Sequence, residues 1–503
     1  LGKKKKGRIS MKRRNAFIMT AIMSREDEQK WGQEWATNVM KTNPDFVIVN
    51  ITAEDGKNDE SMREIIFSDK LKIVYNKWEK NFSLARNQGL DALDMLPIVE
   101  KFDNIYCAYL DADETILEGS FFHLEEILSR FGKMNIHLWT IYNTLEQKSM
   151  IASLFYPRMW PYKENGKLTG AIFEGVVHNQ LLIDQNKYMV ERNKLELLHK
   201  GYALSPDEMK QKHKRSESLL RSQIAEDNDS FFAHLNLAQL LRAKGDFVGT
   251  EKHAREVLRI VNPKIKMGQE KYRHALLMSS EQLSTALMAQ RRFEEAVPHI
   301  NNSLEIKPDY LDQILNKANV CLELKDLDAG EFWYKRYLFI KSKYDETRDN
   351  TNLILNHLNS GFIANYNLGI INIFKNNVKL ATNFFKKSYE QEPTFKDAFQ
   401  KYVNGLRLMG ENELMNKEIN IFMKKCPEKA YIVYNYFGDI SIQDCNMELA
   451  KFNYYQAYNM AKGEDKDRMK NRWENLNTVF GEVSYNFFDT GNKQETLKER
   501  MGT

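Results

Sequence analysis

The stretch Ile105-Tyr106-Cys107-Ala108-Tyr109-Leu110-Asp111-Ala112-Asp113-Glu114 decides how the N-terminal part of the chain reads. An unbroken apolar and aromatic run of this length spells a strand buried on both faces. Asp111 and Asp113 follow it at once, separated by a single residue. In an open α/β sheet, ligands bind beyond the carboxyl ends of the strands. Carboxylate oxygens placed there suit a hard cation such as Mg²⁺ or Mn²⁺.

On either side of this stretch the pattern alternates. Ala16–Met23, Phe46–Ile51 and Leu71–Tyr75 read as further strands; Lys30–Met40, Ser61–Phe67 and Ser83–Met95 read as helices. Strands alternating with helices predict a largely parallel sheet covered on both faces. Right-handed crossovers then bring the strand ends to one edge, where Asp55, Trp78 and Asp111 fall. Downstream, Ser120–Arg130 reads as a helix, and Ile136–Tyr142, Ile172–Val177 and Leu181–Ile183 as strands. Tyr156–Lys167, rich in proline, aromatic and charged residues, reads as a loop.

After Ser205 strand-like runs disappear and amphipathic helices take over. Ser284, Ala296, Ser303 and Pro308 recur with the same offsets as Gly369, Ala381, Ser388 and Pro393, and again in part as Gly438, Ala450 and Ala457. Small residues at such offsets let the two helices of a hairpin approach closely, and the proline ends the second. Hairpins are expected at 233–263, 277–308, 311–341, 362–393, 396–427 and 431–462, with an extra segment around Ser342–Asn359. The period near 34 resembles the tetratricopeptide repeat (TPR). The expected organisation is a basic disordered tail at 1–14, an α/β domain at 15–204, a helical linker at 205–230, helical repeats at 231–462, and a capping helix with a tail at 463–503.

Length and composition agree with several domains. The chain has 503 residues, more than one core fills, and 42% hydrophobic content. A net charge of +4 excludes a dedicated nucleic-acid coat but leaves a local basic patch open. Cys107, Cys321, Cys426 and Cys445 lack the spacing of zinc sites or disulfide frameworks, which predicts reduced thiols in a cytoplasmic compartment. No apolar run reaches the length of a membrane span. The basic run Lys3–Arg14 reads as a solvated tail; an anchor for lipid or nucleic-acid phosphate is the alternative.

Two blocks, Trp78-x-x-Asn81-Phe82-Ser83-x-Ala85-Arg86-Asn87 and Leu110-Asp111-Ala112-Asp113-Glu114, resemble the sugar-nucleotide domain of inverting GT-A glycosyltransferases of the family 2 type. Arg158, Gly175-x-Val177-His178, His199-x-Gly201-Tyr202 and Lys212-x-Lys214-Arg215 extend the resemblance. Their succession into helical repeats resembles bacterial and phage glycosyltransferases with a C-terminal TPR solenoid. The resemblance implies a Rossmann-like, mostly parallel GT-A sheet and a metal-dependent, inverting transfer. The sugar would pass from a nucleotide-diphosphate donor to an acceptor hydroxyl.

By the same resemblance Asp113 ligates Mn²⁺ or Mg²⁺ and Asp111 contacts the ribose. His199 or His178 completes the metal shell, and Arg86 bonds the base or a phosphate. Lys214 and Arg215 fold over the diphosphate, as Arg does well, or else form a solvated helix face. Relatives carry an Asp-x-Gly-Ser-x-Asp-type loop where Thr52–Asp59 stands; here Asp55 is the substitute for its acidic position, so uridine diphosphate is only the default carrier. An inverting transfer needs a general base. Glu174 is the first candidate and Glu114 the second, with ordering of the loop as the other role for Glu114. Trp160, Tyr162 and Phe173 read either as a platform for the acceptor or as ordinary packing.

The acceptor stays open between a protein side chain, a surface glycan and a modified base of phage DNA. It would be selected in the groove of the repeats. The competing reading is a TPR scaffold that binds proteins and carries a catalytically inactive GT-A domain.

Overall fold

The computed structural model describes residues 14–52, 62–66, 69–130, 134–144, 150–176, 180–184, 186–201, 206–347, 353 and 355–480. The N-terminal part runs β1 (Asn15–Ser24), α1 (Arg25–Met40), β2 (Phe46–Thr52), β3 (Leu71–Asn76), α2 (Phe82–Asp94), α3 (Pro97–Lys101), β4 (Asn104–Tyr109), β5 (Glu114–Ile116) and α4 (Ser120–Ser129). It continues through β6 (Ile136–Thr144), β7 (Met150–Glu164), β8 (Lys167–Leu168), β9 (Ile172–Glu174), β10 (Gln180–Leu182) and β11 (Val190–His199).

These strands build a mixed sheet in the order β3-β2-β1-β4-β7-β6-β11-β5, with β8 beside β7; β9 and β10 form a separate hairpin. The expectation of parallel strands is met by β1, β2, β3 and β4, and by the β6–β11 pair. β7 enters antiparallel to both β4 and β6, so the sheet is mixed. The loop expected at Tyr156–Lys167 is thus corrected to the far end of the longest strand, through Glu164. Pro157 and Pro161 had argued against a central strand. Each lies where the register of β7 shifts, against β6 and against β4 respectively, so neither is asked for a regular ladder bond.

Two further expectations change. The helix expected to begin at Lys30 begins at Arg25. Ser24 caps it: its hydroxyl accepts from the Asp27 N–H (3.1 Å), and Asp27 Oδ2 accepts from the Ser24 N–H (3.2 Å). The helix expected at Ser61–Phe67 is, over residues 62–66, a single turn closed by the Ile66 N–H on Met62 O (2.9 Å). Met62 and Ile66 are fully buried and pin that turn to the core.

One face of the sheet carries a core built with Trp35, Ala36 and Val39 of α1 and Leu124 of α4. The other packs Leu90 and Leu93 of α2 with Tyr109, Trp160, Tyr162 and Phe173. α1 also grips the carboxyl end of β4. Trp35 Nε1 donates to Leu110 O (3.2 Å), and the Asn38 amide exchanges two bonds with the Ile116 backbone (2.8 and 3.1 Å). The Asp111–Ile116 turn is therefore held at both ends by one helix.

Helices follow: α5 (Pro206–Glu226), α6 (Phe231–Ala243), α7 (Phe247–Lys266), α8 (Arg273–Ala289), α9 (Phe293–Ile306), α10 (Leu311–Glu323), α11 (Leu327–Thr347), α12 (Gly361–Phe374), α13 (Val378–Gln391), α14 (Lys396–Leu408), α15 (Asn412–Lys425), α16 (Tyr431–Gln443), α17 (Met447–Met460) and α18 (Gly463–Phe480). Each segment expected from the repeat offsets holds two of these helices joined by a short turn, as in a TPR-like array. Contacts divide the chain into two compact units. One runs to Val320 and takes in Lys343–Leu358; the other comprises Cys321–Ser342 and the chain from Asn359.

The repeat offsets have a steric cause. A Cβ at Gly369 would lie within 3 Å of the Phe385 ring, and one at Gly438 within 3 Å of the Tyr454 ring. Ala296, Ala381 and Ala450 are fully buried in the partner helices. The turn inside each hairpin repeats as well: Gly245, Arg291, Lys325, Asn376, Gly410 and Cys445 all adopt the left-handed conformation, φ 56–78°. Among the described residues no helix is long and apolar enough to cross a membrane, and all four cysteines are free thiols.

Candidate functional site

β4 is buried along its whole length and delivers Asp111 to the sheet edge. The turn that follows closes on itself. The Asp111 N–H donates to Glu114 Oε2 (2.9 Å), and the Glu114 N–H to Asp111 O (3.0 Å). Glu114, its side chain only 1% exposed, is paired by Arg158 of β7 at 2.5 Å. Arg158 also reaches Asp111 Oδ2 at 3.3 Å, and Arg86 of α2 holds Oδ1. Both guanidinium groups lie over the Tyr109 ring, 3.9 and 4.1 Å from its centre. Asp111 is thus fixed between two cations that are themselves packed in the core.

Asp113 is held differently. β11 runs antiparallel to β5 with His199 opposite Glu114, and the Lys200 N–H donates to Asp113 O (2.9 Å). That register carries His199 Nε2 to 3.3 Å from Asp113 Oδ2, with side chains 20% and 25% exposed. The chain then passes through Gly201. A Cβ there would sit within 3 Å of Asp113 Oδ2, His199 Nε2 and Lys212 Nζ, filling the space they share. Lys212 of α5 donates to Gly201 O at 2.9 Å.

The electrostatics follow from these contacts. Burial opposes charge on Asp111, but Arg86 and Arg158 outweigh it and hold the carboxyl well below the usual carboxylate range. Desolvation likewise opposes charge on Asp113; His199, then Lys212, hold its carboxyl down. Desolvation works against the charged imidazole of His199, and Asp113 more than compensates, raising it. At Glu114 burial wins over Arg158 and pushes the carboxyl up.

The donor set can be weighed against the implied cation. Among the described residues no three His, Cys, Asp or Glu side chains converge to hold a metal. Asp113 and His199 supply two ligands on the open side; Asp111 is turned to its arginines. The set fits a cation that takes its remaining ligands from a bound oxyanion or water.

The other sequence candidates scatter. Asp55 and His178 lie outside the described residues. Glu174 is exposed at the end of β9, opposite Gln180. Its strand is tied to α2, with the Asn87 amide exchanging two bonds with the Phe173 backbone (2.8 and 2.9 Å). Glu114 faces inward and orders the turn. Lys214 and Arg215 are exposed on α5, and the member of that run that meets the site is Lys212. Of the two readings of Trp160, Tyr162 and Phe173, the structure gives core packing: all three are at most 4% exposed. Trp35, Asn38 and Tyr109 were not singled out from sequence, because their roles arise from contacts with distant β strands.

No protein-family model matches the chain, and no curated protein does. Solved structures do match. A tetratricopeptide repeat protein from Parabacteroides merdae is 13% identical, covers 53% of this chain and 93% of its own, and gives a TM-score of 0.35. The pilF protein of Pseudomonas aeruginosa is 10% identical over 48% of this chain and 98% of its own, with a TM-score of 0.34. YrrB, a TPR protein with an unusual peptide-binding site, is 13% identical over 41% and 92%, with a TM-score of 0.30.

Proposed function

We propose that the chain is a TPR-like binding scaffold joined to a domain that binds a nucleotide-diphosphate sugar and transfers the sugar to an acceptor hydroxyl. The scaffold half has the broader support, since stacked helix hairpins present an extended surface for a peptide or protein. The transferase half rests on one observation: Asp113 and His199 stand together, partly open, beside a fixed Asp111 at the carboxyl end of β4.

In this reading Asp113 and His199 would hold Mn²⁺ or Mg²⁺, whose charge offsets that of the departing diphosphate. Lys212 would add a cation on the same side, and Asp111, immobilised by Arg86 and Arg158, would accept from the ribose. Glu174 is the proposed base, and the default donor is a uridine diphosphate sugar in the cytoplasm. The acceptor is a macromolecule of one of the three classes the sequence leaves open. The test is release of nucleoside diphosphate from a panel of sugar nucleotides with Mn²⁺, by wild type and by Asp113→Asn. Release by wild type alone supports the transferase; no release from any donor leaves the scaffold.

The second reading, a scaffold whose sheet domain is catalytically silent, is favoured by a specific feature. Both oxygens of Asp111 already face arginines, and among the described residues only two protein ligands, Asp113 and His199, converge.

A further inference from the structure

The charges of α5 are sorted by face. Between Met209 and Arg221 the basic residues Lys210, Lys212, Lys214, Arg215 and Arg221 stand against a single carboxylate, Glu217. Lys212 turns inward and donates to Gly201 O, beside Asp113. Leu219 and Leu220 bury the same side of the helix. Lys210, Lys214 and Arg221 fall on the opposite side, at i, i+4 and i+11, and are exposed; Arg215 is exposed on the flank between the two sides.

These cations are not balanced locally. Glu217 already answers two of them, Arg221 at 2.8 Å and Lys244 at 2.5 Å. Among the described residues Lys210, Lys214 and Arg215 pair with no carboxylate. Other helices balance such cations within a turn: Arg255 with Glu251 (2.8 Å), Arg259 with Glu256 (2.7 Å) and Lys335 with Glu331 (2.5 Å). Like charges at i, i+4 destabilise a helix, so a face kept only for solubility would mix its signs as those helices do. The surplus is felt by the neighbouring imidazole: burial first, then Lys244 and Lys212, lower His213 from its usual range.

The shape of the surplus selects the ligand. Lys210 to Arg221 covers about 16 Å of helix axis, at ~1.5 Å per residue. A single diphosphate does not span that length, and Lys212 already offers it a cation at the site. A polymer with a phosphate every ~3.4 Å along each strand does span it. The fork of Arg215 suits phosphate oxygens, and lysines serve as point charges.

We propose that the outer face of α5 binds the phosphodiester backbone of a nucleic acid through Lys210, Lys214 and Arg215, and that nucleic acid is the acceptor class, led by this helix to the site at Lys212. The binding stands on α5 alone. The acceptor role rests on the transfer reading, and the two are measured separately.

The full chain is titrated against a fluorescein-labelled oligonucleotide of about twenty nucleotides, single-stranded and duplexed, with anisotropy read between about 50 and 200 mM salt. Three phosphate contacts predict a slope of log affinity against log salt of about −2 to −3, a loss of roughly 20- to 40-fold over that range. Lys210→Gln, Lys214→Gln and Arg215→Gln together should weaken binding at least tenfold at the lower salt and flatten the slope by about 2. Should the triple variant fail to fold, each single variant should flatten it by about 0.7–0.9. The form bound more tightly, single strand or duplex, is the one the face takes. No binding to either form, binding unchanged in the variants, or equal displacement by polyglutamate overturns the proposal. With a sugar nucleotide that the chain turns over, labelled sugar should pass into the oligonucleotide. Turnover without label there overturns the acceptor role; absence of any turnover strikes the transfer reading and leaves the binding result standing.

Discussion

Replacing Arg158 with methionine tests the frame of the candidate site. Arg158 and Glu114 are 5% and 1% exposed as side chains and 2.5 Å apart. Methionine keeps much of the stem volume, so lost packing is a small term. The larger loss is a buried carboxyl left without its cation, which costs about 3–5 kcal/mol. The lost stacking on Tyr109 adds about 1 kcal/mol. Adding Glu114→Gln removes the stranded charge and should return about 2 kcal/mol or more. In a chain of several units a single unfolding free energy is ill-defined, so the assay should follow one region. Urea unfolding read by fluorescence serves in a background of Trp333→Phe and Trp473→Phe, which leaves tryptophans of the N-terminal domain alone, Trp35, Trp139 and Trp160 among them each at most 1% exposed. A loss below about 1 kcal/mol for Arg158→Met, or no recovery on adding Glu114→Gln, would refute the buried-pair argument.

Four further outcomes follow from the same geometry. Gly201→Ala places a methyl group within 3 Å of Asp113 and His199; it should abolish any Mn²⁺-dependent thermal shift while the repeats melt unchanged. Arg291→Gly and Lys325→Gly relieve left-handed backbone at φ 61° and 64°, and each should stabilise its hairpin by about 0.5–1 kcal/mol in thermal unfolding. Burial lowers His253 and His137 to about 4 from the usual imidazole value of 6.5. Each contributes stability above pH 6.5 that is lost as pH falls toward 4, by up to about 3 kcal/mol, and His253→Gln should flatten part of that decline in melting temperature. Gly369→Ala drives a methyl group into the Phe385 ring and should destabilise by about 1–3 kcal/mol, with Phe385→Leu restoring part of it.

The parts of the fold that were legible in sequence are those set by local periodicity. The strand before Asp111 is a continuous apolar run, and the hairpins announce themselves by small residues, such as Gly369 and Gly438, against which an aromatic ring packs. β7 was not legible because Pro157 and Pro161 argue against a strand until the register shifts beside them are seen. The start of α1 was hidden in a charged stretch, although Ser24 and Asp27 spell a capping box. At the site, Asp111, Asp113 and His199 were readable as residue types, but the β5–β11 register that joins His199 to Asp113 is a long-range property. The basic run on α5 was readable too. Which of its members faces the site depends on helix phase, and that member is Lys212 rather than Lys214 or Arg215.

Asp113 and His199 are proposed to share a divalent cation with a diphosphate. Titration of Mn²⁺ by electron paramagnetic resonance, with and without uridine diphosphate, tests it most directly. Because only two protein ligands converge among the described residues, wild type should bind Mn²⁺ weakly alone and far more tightly with the diphosphate, and Asp113→Asn and His199→Gln should each abolish the gain. Bound Mn²⁺ that ignores the diphosphate, or that persists in both variants, would contradict the account.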